Sequence, residues 1–150
     1  DLISGILLGL NSIPGLPAGL VYEIHRRWGR TTENDIRPYS HDHPELAAGK
    51  LRIAYLSADF SKHPVGFFSE ALVNSHDRAH FEVYCYARIR HDDEMTERFR
   101  HAADHFVDIT HLSHAEAAAR IKQDNIHILI ELGGHTSGSP LQILAYKPAP

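Results

Sequence analysis

Four short apolar runs punctuate the chain beyond residue 50: LRIAYLS (51–57), FEVYCYA (81–87), FVDIT (106–110) and IHILIEL (126–132). Each is too short for a typical helix and nearly continuous in apolar character, the pattern of a strand buried on both faces. Polar and helix-forming stretches separate them. Helices are predicted from about Pro64 to Ser75, over DDEMTERFRHAAD (92–104) and over SHAEAAARIKQ (113–123), with Ser139 and Pro140 as cap and first residue of a last one. Strands alternating with helices imply a parallel sheet covered on both sides, a Rossmann-like α/β fold.

The pattern before residue 50 is different. LISGILLGL (2–10) reads as a helix broken at Asn11 and by the turn at Pro14 and Gly15. A second helix follows, with Pro17 in its first turn, Leu16, Leu20, Ile24 and Trp28 at helical spacing, and Gly29 placed to end it. Residues 31–50 are polar, carry two prolines and read as a linker. The chain thus divides into a helical segment (1–30), the linker (31–50) and an α/β lobe (51–150).

Composition narrows the functional classes. With 43% apolar and 23% charged residues, the 150-residue chain can bury a core. A net charge of −4 without a basic cluster argues against nucleic acid as partner. The opening nine-residue apolar run is too short to span a bilayer, so no membrane association is expected. The single cysteine, Cys85, excludes a disulfide framework and fits a reducing, cytoplasmic compartment. Thirteen histidines raise a metal hypothesis, since His76 and His80, and His101 and His105, stand four apart. Neither pair carries an HExxH glutamate and no cysteine cluster supports them, so no metal site is expected. The absence of an initiator methionine and the ending at KPAP suggest a piece of something larger.

In an open parallel sheet, ligands bind beyond the carboxyl ends of the strands. There the first strand delivers Asp59, Ser61, Lys62 and His63, the second Arg88, Arg90, His91 and Asp92, and the fourth GGHTSG with His135, Thr136 and Ser137. Pro64 pushes His63 out of helical geometry and itself suits the first helical position, which sets the imidazole at the positive end of a helix. A ring held neutral there can take a proton or hydrogen bond from a hydroxyl. The bland alternative has Asp59 or Ser61 capping the helix and His63 as a surface turn residue. Gly133 and Gly134 allow close backbone approach to a ligand, or simply make a tight turn. Neither loop carries a dinucleotide or P-loop fingerprint.

LRIAYLSADFSKHPVGFF, FEVYCYA, the helix before DNIHILIELGGHT, and the closing LQILAYKPAP occur in an order and spacing that resembles the O-GlcNAc transferase and SPINDLY-type glycosyltransferases. LGLNSIPGL and EIHRRWG look like the helical connection between the tetratricopeptide repeats of that family and its catalytic region. The resemblance implies the first lobe of a GT-B enzyme, with a second catalytic lobe absent from this sequence. It implies an inverting, metal-independent transfer from a nucleotide sugar, UDP-GlcNAc or GDP-fucose, to Ser or Thr of an acceptor protein, with no cofactor. His63 falls on the DFxxHP histidine, the family's candidate base. Asp59, Pro64, Gly133, Gly134, His135 and Thr136 fall on cleft-lining, substrate-binding positions. Two other readings stay open: a non-catalytic scaffold with a transferase-like lobe, and a metal-dependent nucleotide-binding or hydrolytic domain.

Overall fold

The computed structural model describes residues 2–41 and 49–150. Four strands form one parallel sheet: β1 (Leu51–Ser57), β2 (Phe81–Ala87), β3 (His105–Asp108) and β4 (Ile128–Glu131), in the order β3-β2-β1-β4. Around it lie α1 (Leu2–Leu10), α2 (Ala18–Glu33), α3 (Pro64–Asn74), α4 (Glu94–Ala102), α5 (His114–Gln123) and a closing 3₁₀ helix (Leu141–Tyr146). The chain steps outward from β1 to β3 and then returns to the far side of β1. The sheet therefore reverses direction between β1 and β4, the kind of switch point that opens a crevice for ligands.

Alternate residues of each strand feed opposite faces. Ile53, Tyr55, Val83 and Cys85 pack with Phe60, Val73, Met95 and Phe99, on the side covered by α3 and α4. Ala54, Leu56, Tyr84 and Tyr86 pack with Ala117, Ala118, Ile121 and Ile143, under α5 and the 3₁₀ helix. The small side chains of α5 let that helix lie close to the sheet. Capping residues set the start of both middle helices. Asp93 and Ser113 each accept amide hydrogen bonds and complete a capping box, with Thr96 and Glu116 as partners.

Several boundaries differ from expectation. Gly29 does not end the second helix, which runs on to Glu33; an interior glycine lowers helix stability by only about 1 kcal/mol and is tolerated. The third strand begins at His105, so His101 and His105 stand on different elements and share no helix face. The last helix is 3₁₀ rather than α and starts after Pro140. It stops at Lys147, whose φ of 46° is left-handed. The Lys147 carbonyl accepts a hydrogen bond from His41 at 2.7 Å, and the Tyr146 carbonyl accepts one from the Tyr39 amide at 2.8 Å. The middle of the segment read as a linker is thereby tied to the end of the chain. His43 of the HDH triplet lies outside the described residues.

Candidate functional site

The loop after β1 is built around the start of α3. His63 is the residue that caps this helix: its backbone is extended (φ −136°, ψ 151°), Pro64 follows in the first turn, and Nδ1 accepts the Val65 amide at 3.3 Å. Neither Asp59 nor Ser61 does so. Gly66 permits the geometry, since a Cβ there would stand 2.2 Å from the Ser61 carbonyl oxygen and 3.1 Å from that of Asp59. The loop is pinned from α4 as well. The Lys62 amide donates to Asp93 at 2.8 Å and the Thr96 hydroxyl to the Phe60 carbonyl at 2.8 Å.

These contacts define what the imidazole can offer. With Nδ1 accepting from Val65, the neutral ring carries its proton on Nε2 and meets a ligand as a donor. Asp59, buried and with Oδ2 3.8 Å from Nδ1, supplies a second arrangement. If Nδ1 releases Val65 and turns its own proton toward that carboxylate, Nε2 becomes a base. One ring can thus orient or deprotonate a hydroxyl, depending on which neighbour Nδ1 serves.

The loop after β4 is held by a residue that the sequence reading did not single out. Glu131, the last residue of β4, accepts hydrogen bonds from the amides of Gly133 (2.8 Å) and Gly134 (2.7 Å) and from the Ser139 hydroxyl (2.9 Å). The glycines are needed for this. Gly134 has φ of 54°, and a Gly133 Cβ would lie 3.0 Å from both Glu131 Oε1 and Thr136 Oγ1. Thr136 Oγ1 is itself buried, with no hydrogen-bond partner among the described residues. A glutamate ending a strand two residues before paired glycines was the available signal. Gly66, in the first turn of a helix, was another.

The two loops face each other across the switch point. A cavity of about 220 Å³ is lined by Asp59, Ser61, Lys62 and His63 on one bank and Thr136 and Ser137 on the other, with Arg90 and His91 of the β2 loop between them. Arg90 bridges the gap, its Nη1 donating to the Ser137 carbonyl at 2.7 Å. Pro64 is exposed beside this space, and Gly133 and Gly134 shape the far bank from behind.

His135 does not join them. Its Nδ1 is hydrogen-bonded to Ser4 Oγ at 3.1 Å, and its ring meets Trp28 edge-on at 4.6 Å and His25 at 5.3 Å. Burial, and then the neighbouring His25, hold its pKa below the usual imidazole range. The helical segment therefore packs directly on the glycine loop. The sequence could not show this, because the contacts arise more than a hundred residues upstream. Among the described residues no group of three or more His, Cys, Asp or Glu side chains converges on a metal position, and no helix is long and apolar enough to cross a membrane.

A Rossmann-like lobe with a histidine-capped helix at its switch point is the class that geometry defines. The model for glycosyl transferase family 41 matches residues 30–150, and the chain belongs to that family. It is 39% identical over 103 residues to a UDP-N-acetylglucosamine–peptide N-acetylglucosaminyltransferase of Caenorhabditis elegans, covering 67% of this chain and 9% of the relative. A probable UDP-N-acetylglucosamine–peptide N-acetylglucosaminyltransferase SPINDLY of Oryza sativa subsp. japonica is 33% identical over 149 residues, covering 96% of this chain and 16% of that protein. The solved structure of a Thermobaculum terrenum O-GlcNAc transferase mutant, K341M, superposes with a TM-score of 0.90 at 30% identity, over 99% of this chain and 29% of the other. The chain thus spans less than a third of each of these relatives.

Proposed function

We propose that this chain is the first lobe of a two-lobed GT-B protein O-glycosyltransferase, which moves a sugar from a nucleotide sugar to Ser or Thr of an acceptor protein. The observation that carries this reading is the His63 cavity at the switch point, within a lobe of glycosyl transferase family 41. UDP-GlcNAc is the favoured donor, because the names of both the C. elegans and the SPINDLY relatives specify UDP-N-acetylglucosamine. The helical segment is read as the end of a repeat region, and a cytoplasmic setting is supported by the sole thiol, Cys85, being buried and unpaired.

In the proposed reaction the acceptor hydroxyl lies against His63 and attacks the anomeric carbon on the face opposite the nucleotide. His63 takes the hydroxyl proton at Nε2 when its Nδ1–H turns to Asp59; where it only orients the hydroxyl through Nε2–H, the proton passes to an oxygen of the departing diphosphate. A second lobe holds the departing diphosphate. The test supplies UDP-GlcNAc and GDP-fucose, separately, to the longer protein carrying this chain and reads acceptor mass. A gain of one N-acetylhexosamine supports the reading; a gain of deoxyhexose reassigns the donor. Binding of neither nucleotide sugar returns the protein to the scaffold class.

A further inference from the structure

A second and larger cavity, of about 470 Å³, adjoins the first and shares Arg90, Thr136 and Ser137 with it. Its chemistry is distinctive. Two guanidinium groups, Arg88 and Arg90, and the imidazole of His114 line it, together with Ser4 and Ser139, and among the described residues no carboxylate does. Arg90 is engaged by the Ser137 carbonyl, whereas the Arg88 guanidinium has neither a hydrogen bond nor an ion pair among the described residues. Arg88 is half-buried, so it is a cation drawn partly out of water without a counter-charge among the described residues. Nearby acids are already committed. Glu131, behind Ser139, serves three donors of its own loop, and Glu116 is turned back onto the Ser113 amide and hydroxyl. His114 is the first residue of α5, whose amide end adds positive potential. Burial, and then Arg88, keep its pKa below the ordinary imidazole value, so two fixed positive charges dominate the space near neutral pH.

We propose that this cavity is an oxyanion subsite, taking a phosphate or carboxylate group, and that the group belongs to the acceptor polypeptide. The assignment to the acceptor rests on the proposed transferase reading. In an in-line displacement the nucleophile and the diphosphate lie on opposite faces of the reacting carbon, and the lobe that presents His63 stands on the nucleophile's side. An Asp, Glu or phosphorylated residue close to the modified Ser or Thr would then place its anion against Arg88 while the hydroxyl occupies the His63 cavity. Arg88 acts here as a specificity residue, favouring acidic acceptors through a charge-assisted contact.

Binding can be read without any sugar transfer, which separates failure of this inference from failure of the transferase reading. Sodium phosphate titrated into the isotopically labelled chain at constant ionic strength should give saturable shifts of the Arg88 and His114 signals. Arg88→Gln should weaken phosphate about tenfold and Arg88→Lys less, with unchanged circular dichroism. No saturable binding, or equal binding by a folded Arg88→Gln chain, overturns the subsite. In the second arm, peptides of equal length carrying Asp, phosphoserine or Asn beside the Ser compete with phosphate. The first two should displace it and the third should not. Equal competition by all three overturns the acceptor assignment and leaves the site to small free anions. In the active longer protein, Arg88→Gln should lower the ratio of kcat/KM for acidic over neutral acceptors about tenfold.

Discussion

The loops after β1 and β4 lie on the same edge of one sheet and each carries a histidine, yet the two rings are set in opposite surroundings. His63 lines an open cavity, and its Nδ1 accepts a hydrogen bond from its own helix start with Asp59 3.8 Å away. His135 is gripped from outside its loop, by Ser4, His25 and Trp28. The first loop gets its shape from local backbone geometry, a capping ring and a close-packed glycine. The second depends on a buttressing carboxylate within and a helical cover above. Similar residue types at equivalent strand ends therefore carry different duties: one ring is available to a ligand, the other fastens the helical segment to the lobe.

Four experiments would break or sharpen that contrast, in falling order of effect. Gly66→Ala forces a Cβ into the Ser61 carbonyl oxygen and should destabilise the chain by about 3 kcal/mol in urea denaturation, since backbone must move to relieve it. An unchanged midpoint would mean the first loop is not held as described. His63→Asn keeps a side-chain acceptor at the cap while deleting Nε2. It should leave stability within about 0.5 kcal/mol and lower kcat of the longer protein on the order of 100-fold. Normal turnover would remove the ring from the reaction. Glu131→Ala leaves three donors without their acceptor, and a loss of about 2 kcal/mol is expected by thermal unfolding.

The smallest effect is a pH dependence. His135, His76 and His114 all have pKa values lowered, in each case chiefly by burial. A ring that resists protonation in the folded chain accepts a proton more readily when unfolded, at about 6.5. Stability should therefore be level above that pH and fall as the pH drops below it. Trp28→Ala uncovers His135, so its pKa, followed by proton NMR, should rise toward the ordinary value and part of the acid sensitivity should disappear. An unchanged titration would mean that the helical cover does not shield this ring.

The fold was readable in sequence where the signal is local or doubly buried. All four strands appear as apolar runs, and the positions of Pro64 and Ser113 mark helix starts. What escaped is what tertiary contact decides. The fourth strand is Ile128–Glu131, shorter at both ends than IHILIEL suggests, although the His127 and Leu132 amides still donate to the Arg52 and Leu56 carbonyls of β1 at 3.0 Å. Of the site, His63 was legible because a proline fixes it, although its capping role belongs to the side chain rather than to its neighbours. The glycine pair was noticed, but Glu131, which makes sense of it, was not. The surroundings of His135 come from residues 4, 25 and 28, and no spacing within the lobe announces them.

The sheet order has one more consequence. β1 and β2 are the two interior strands, each paired along both sides: they pair with each other at seven positions, β1 also with four residues of β4 and β2 with four of β3. Their amides, those of Ala54 to Leu56 and of Tyr84 to Tyr86 above all, should be the slowest in the molecule to exchange with deuterium, opening only when the whole sheet does. The turn that leads to His63 springs from β1, and so the ring nearest the proposed chemistry is moored to one of the two strands that come apart last.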